Sequence, residues 1–128
     1  MTKRLLVVED ETAILHALEL YFRTRGFEVD TATEREAAES LLSGQPYGVV
    51  IADLRLGDSE GTEGLEVVSA VRRCSPATRT ILLTAYGSSE VELEARRRGV
   101  DILLHKPQPL SAIASVIDSL LSTAEGRA

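Results

Sequence analysis

Short unbroken apolar runs alternate with stretches whose apolar residues recur every three or four positions, and the pair repeats five times along the chain. Apolar runs closed by turn-formers read as strands buried on both faces, and the three-to-four spacing reads as helices packed against them. The first strand is predicted over 5–8, ending in Glu9-Asp10-Glu11. A helix over 12–25 follows, with the apolar residues Ile14, Ala17, Leu18, Tyr21 and Phe22 at helical spacing and Gly26 just past its end. A weaker strand, nearer an edge, is predicted over 28–32, then a helix over 33–42 closed by Ser43-Gly44-Gln45-Pro46. The third strand, Val49-Val50-Ile51-Ala52, runs straight into Asp53.

Beyond it a loop over 56–64 holds Gly57, Gly61 and Gly64 with Asp58, Glu60 and Glu63, and a helix is predicted over 65–73. The fourth strand, 80–83, delivers Thr84-Ala85-Tyr86-Gly87 to its tip. Ser88 or Ser89 caps a helix through Arg98, on which Glu92/Arg96 and Glu94/Arg98 are favourable i,i+4 pairs, and Gly99 stops it. The fifth strand, 101–105, runs into Lys106-Pro107. A last helix covers 110 to about 124, with Ile113, Val116, Ile117, Leu120 and Leu121 as its core stripe. Strands separated by helix-length segments require right-handed crossovers. The expected architecture is α/β: a flavodoxin-like, doubly wound sheet of five parallel strands in the order 2-1-3-4-5, covered by five helices.

Composition narrows the class. The chain has 128 residues, enough for one domain with a sizeable core, and a net charge of -6, which argues against a nucleic-acid surface. The basic start before Leu5 is followed by an apolar run too short for a signal peptide, and nothing approaches a membrane-spanning length. The single Cys74 excludes an internal disulfide and suits a reducing cytosol, so a cytoplasmic location is expected.

In such a sheet four strand ends bring polar groups to one edge: Glu9-Asp10, Asp53, Thr84 and Lys106. Carboxylates gathered this closely call for a cation, and an all-oxygen set without histidine or cysteine partners suits Mg²⁺ rather than zinc. Of 14 basic residues only Lys3 and Lys106 are lysine, which makes Lys106 a candidate point-charge partner for an anion. A carboxylate nucleophile, metal-binding acids, an ammonium and a hydroxyl together describe a phosphoryl site.

The ordered fragments Val8-Glu9-Asp10-Glu11, Ala52-Asp53-Leu54-Arg55-Leu56, Leu83-Thr84-Ala85 and His105-Lys106-Pro107 resemble the response-regulator receiver domain of two-component signalling. The resemblance covers essentially the whole chain, with 1–124 as the receiver and 125–128 as a short tail. It implies that Asp53 accepts a phosphoryl group from a histidine kinase or phosphotransfer protein. Asp10 would bind Mg²⁺ directly and Glu9 directly or through water, with Asp53 and the main-chain carbonyl of Arg55 completing the protein ligands. Thr84 would hydrogen-bond the phosphoryl group and Lys106 would pair with it. A cis Lys106-Pro107 peptide is also implied. The protein would be no enzyme beyond slow self-catalysed phosphorylation and dephosphorylation. It would signal to a downstream protein target, without binding nucleic acid or membrane itself, in an oligomeric state the sequence leaves open.

Three features depart from the family pattern. The family commonly has proline four residues after the acceptor; this chain has Gly57 and a longer acidic loop, a modulator of metal or partner binding or simply a solvated segment. Leu103 stands where the family often has an aromatic that swings inward with the threonine. Output then has to use backbone shifts or another side chain, and Tyr86 with Arg55 is a candidate pair flanking the phosphoryl group. Third, Asp118 is the only charge between Leu110 and Thr123, while Ser111, Ser115, Ser119 and Ser122 line the outer face. That argues against dimerisation through charged pairs on the last helix. His16 is expected at the surface, and His105 on the side of its strand away from Lys106.

Two alternatives come from other classes. The chain could be the amino-terminal receiver of a DNA-binding transcriptional regulator, with Ser122 onward as a tail or the start of a linker. A Mg²⁺-dependent phosphatase with an aspartyl nucleophile would need a second acid two residues after Asp53, and Arg55 occupies that place.

Overall fold

The computed structural model describes residues 3–56, 61–85 and 88–126, residues 123–126 by backbone alone. Five strands alternate with five helices: β1 (Arg4–Val8), α1 (Thr12–Thr24), β2 (Glu28–Ala32), α2 (Arg35–Gly44), β3 (Val49–Asp53), α3 (Glu63–Cys74), β4 (Arg79–Thr84), α4 (Ser89–Arg97), β5 (Ile102–His105) and α5 (Leu110–Gly126). All strand pairs are parallel, and the sheet order is β2-β1-β3-β4-β5, as the alternating pattern predicts.

Burial explains why the middle of the sheet is so apolar. Every residue of β3 is buried, as are all but the first of β1 and β4, whereas edge strand β2 is mixed and edge strand β5 is half-buried to exposed. Alternate strand residues serve different faces. Leu5, Val7, Val49, Ile51, Ile81 and Leu83 pack under α1 and α5 with Leu18, Phe22 and Ile117. Leu6, Val8, Val50, Ala52 and Leu82 pack under α2, α3 and α4 with Leu42, Val67, Val71 and Ala95. The outer face of α5 carries the expected serines, all four exposed, and Asp118 reaches Arg25 at 3.6 Å.

Helix ends differ modestly from the sequence expectations. α2 starts at Arg35 rather than 33, and α3 at Glu63 rather than 65. Neither start has a side-chain cap hydrogen bond, and neither does α1, which begins at Thr12 as expected; at α3 the Gly64 N–H donates to the Leu54 carbonyl at 2.9 Å and ties the first turn to the end of β3. Where a cap exists the prediction is sharp: Ser88 Oγ accepts from the Val91 N–H at 3.2 Å and α4 begins at Ser89. Glu94–Arg98 forms as predicted at 2.8 Å, but Glu92 faces the His105 imidazole at 4.0 Å instead of pairing with Arg96. α5 continues two residues past 124, to Gly126. Among the described residues no helix is long and apolar enough to cross a membrane.

Candidate functional site

The strand order reverses between β1 and β3, and in open α/β sheets the crevice at the carboxyl ends of the strands beside that reversal is where ligands bind. The backbone fixes the strand tips there. Glu9 N–H donates to the Ala32 carbonyl at 3.0 Å, Leu54 N–H to the Leu83 carbonyl at 2.8 Å, and Lys106 N–H to the Thr84 carbonyl at 2.8 Å. The polar side chains of these tips therefore stand on a frame held at every strand end.

Glu9, Asp10 and Asp53 each present a carboxylate oxygen within 4.8 Å of the others, the one such group of possible metal ligands among the described residues. Glu9 is 1% exposed and Asp53 8%, while Asp10 faces solvent. Lys106 Nζ lies 3.1 Å from Glu9 Oε1 and 3.3 Å from Asp53 Oδ2, one ammonium shared between two buried carboxylates. The other oxygen of Glu9 accepts from the Glu11 N–H at 3.2 Å. Thr84 is buried beside them, and Asp10, Ile14, Asp53, Arg55, Thr84 and Lys106 line a cleft of about 270 Å³. The Lys106-Pro107 peptide is cis.

The electrostatics of this cluster are short of positive charge. Burial, and then the neighbouring charge of Asp53, push the Glu9 carboxyl up to about 7, against the opposing pull of the Glu11 amide and Lys106. Burial also raises Asp53, although Lys106 works against it. Burial alone would lower Lys106, yet the two carboxylates outweigh it and hold the ammonium protonated more firmly than usual. Two carboxyls with raised affinity for protons, and one ammonium between them, are one cation away from balance. The donor set is all oxygen and partly open to solvent through Asp10, which fits a hard divalent ion that keeps some of its waters.

Glu9, Asp10, Asp53, Thr84 and Lys106 thus arrive at one edge. Arg55 is at the mouth of the cleft, and its side chain lies against the backbone of Gly61, where an added Cβ would meet its Nε at 3.1 Å. Tyr86 and 57–60 of the acidic loop lie outside the described residues. His16 is exposed, and His105 is directed to Glu92 of α4. Two features add to the residues that the sequence singles out. One is the direct Lys106–Glu9 contact, across a separation of 97 residues. The other is an apolar groove of about 360 Å³ between α1 and the start of α5, lined by Ile14, Ala17, Leu18, Pro107, Leu110 and Ile113, which shares Ile14 and Lys106 with the polar cleft.

An acid cluster and a lysine at the switch point of this sheet are the arrangement that a receiver domain has, and the comparison with known families gives the class. The response regulator receiver domain model matches residues 5–118, so the chain belongs to that family, the non-enzymatic phosphoacceptors of two-component signalling. Among particular relatives, it is 34% identical over 104 residues to the alginate biosynthesis transcriptional regulatory protein AlgB of Pseudomonas aeruginosa, covering 81% of this chain and 22% of AlgB. It is 31% identical over 115 residues to the photosynthetic apparatus regulatory protein RegA of Rhodobacter capsulatus, covering 90% of this chain and 61% of RegA. A CheY-like response regulator receiver domain protein from Methanospirillum hungatei JF-1 superposes with a TM-score of 0.93 at 25% identity, over the whole of both chains. The chain therefore spans between about a fifth and three fifths of these two curated relatives.

Proposed function

We propose that Asp53 is the phosphoacceptor of this receiver and that Glu9, Asp10, Asp53 and the Arg55 carbonyl hold a Mg²⁺ ion beside it. The observation that carries the reading is Lys106, whose ammonium stands 3.3 Å from an Asp53 oxygen inside a cluster of three carboxylates. An Asp53 oxygen attacks phosphorus, the bond from phosphorus to the donor breaks, and the donor leaves with its electron pair, a histidine imidazole taking up a proton to depart neutral and acetate departing as the anion. With a phosphohistidine donor the broken bond is P–N; with acetyl phosphate it is P–O. Lys106 holds its proton throughout and offsets charge on the transferred oxygens, and the Thr84 hydroxyl donates to one of them. When bound, Mg²⁺ supplies positive charge to those oxygens and to the reacting carboxylate. Ala85, next to Thr84 and exposed, adds no bulk at the mouth of the cleft.

The donor is a histidine kinase or a phosphotransfer protein. Its docking place is the apolar groove between α1 and α5, which meets the polar cleft at Ile14 and Lys106; exposed Leu20 lies on α1 two turns beyond Ala13, which also lines the groove. The phosphorylated domain acts on a downstream protein in the cytoplasm. A second reading is favoured by the relatives: AlgB is named a transcriptional regulatory protein, and the chain matches only 22% of it. In that reading the domain is the receiver part of a DNA-binding regulator. Incubation with acetyl phosphate and Mg²⁺ followed by intact-mass measurement tests the chemistry common to both. Wild type gains one phosphoryl group and Asp53→Asn gains none; equal uptake by the two proteins would remove Asp53 from its role.

A further inference from the structure

α4 is the helix least anchored in the core. It buries only Ala95, whereas α3 buries Gly64, Leu65, Val67, Val68, Ala70 and Val71. Elements that bury few apolar groups shift at the lowest free-energy cost. α4 also follows Thr84 after a short connection, so it is the element best placed to respond to a change at the site.

Its far end is gripped by Arg98. The guanidinium Nε donates to Glu94 Oε2 at 2.8 Å within α4, and Nη1 donates to Glu66 Oε1 at 3.2 Å and to Ser69 Oγ at 3.3 Å on α3. α3 in turn rests on the backbone of the site. Gly64 N–H donates to the Leu54 carbonyl at 2.9 Å. A Cβ on Gly64 would stand 2.4 Å from the Asp53 carbonyl oxygen and 2.6 Å from Leu54 Cα, so only glycine allows this approach. Direct contacts thus run from the Asp53–Leu54 peptide to the first turn of α3, along α3 to Glu66 and Ser69, and through Arg98 into α4. On the strand beside Thr84, Leu103 packs partly buried in the core under α4 and has no hydrogen-bonding group.

We infer that Arg98 is a positioning residue for the signal: it makes α4 follow α3 when the acceptor changes state. The inference rests on the reading of Asp53 as acceptor. Chains of packed and hydrogen-bonded groups carry coupling only where a response at one end depends on them, and that dependence is measurable.

The test uses the full chain, with amide NMR shifts of residues 90–97 read before and after beryllofluoride and Mg²⁺, a mimic of the bound phosphoryl group. Intact mass after acetyl phosphate is read alongside. In wild type these amides shift. In Arg98→Ala and in Glu66→Ala the shifts fall by about half or more, while phosphoryl uptake is unchanged. Glu94→Ala removes the partner of Arg98 within its own helix but leaves its reach to α3, and it responds as wild type does. Exchanging the charges, Glu66→Arg with Arg98→Glu, restores the response. A full response in Arg98→Ala, a still α4 in wild type, or an equal loss in Glu94→Ala overturns the coupling. Absence of phosphoryl uptake in wild type counts instead against Asp53 as acceptor.

Discussion

In the proposed site, Glu9 is the residue at which a proton and Mg²⁺ would compete. Its carboxyl is held at about 7 in the folded protein, above the value of 4.5 that applies without the site. The folded state therefore binds this proton more tightly than the unfolded chain. The stability it contributes is complete below the unfolded value and is lost as pH rises through about 7, a loss of a few kcal/mol at most. Raised Asp53 acts in the same direction. Without divalent ions the melting temperature should fall between about pH 5.5 and about pH 8, and Mg²⁺ should raise it more at the higher pH, where no proton competes. Calorimetric scans at both pH values check this; a larger Mg²⁺ effect at the lower pH would contradict it. Lys106 makes a second, two-sided prediction. Lys106→Ala should slow phosphoryl uptake from acetyl phosphate by at least about tenfold. It should at the same time tighten Mg²⁺ binding, because a competing cation has left Glu9 and Asp53. Mg²⁺ titration of the variant decides whether the two effects separate or fall together.

At the scale of elements, the start of α3 is fixed by a contact with strand β3 rather than by its own sequence. Gly64→Ala places a methyl against the Asp53 carbonyl, and overpacking of this kind costs about 1–3 kcal/mol. Gly44→Ala, at the end of α2 with no heavy atom within 4 Å of the added Cβ, should be neutral or stabilising by up to about 1 kcal/mol. Parallel denaturant titrations of the two variants compare them, and equal effects would mean that the close approach does not matter. The same contrast explains what was legible in the chain. Val49-Val50-Ile51-Ala52 allows only a buried strand, and β1, β3 and β4 lie where their apolar runs stand. α2 starts two residues later and α3 two residues earlier than the pattern places them; for α3 the deciding contact, Gly64 against Asp53, is tertiary and leaves no mark in the sequence.

On the scale of the whole molecule, two cores on opposite faces of one sheet hold five strand tips in a fixed relation, and the site is a property of that edge rather than of any segment. The gathering of Glu9, Asp10, Asp53, Thr84 and Lys106 was readable because parallel strands must deliver their carboxyl ends to the same side. Contacts that cross between elements were not: Lys106 to Glu9, Arg98 to Glu66 and Gly64 to Asp53 depend on tertiary distances that no local pattern encodes. The relatives extend well beyond this domain, whereas the acid cluster and Lys106 lie wholly within it. The most direct measurement places the new bond on one residue. After reaction with acetyl phosphate and Mg²⁺, borohydride reduces an aspartyl phosphate to homoserine with loss of phosphate, and peptide sequencing by mass locates it. Homoserine at position 53, dependent on Mg²⁺, is the expected result. Homoserine at position 10, or none anywhere in a protein that has gained a phosphoryl group, would contradict Asp53 as the acceptor.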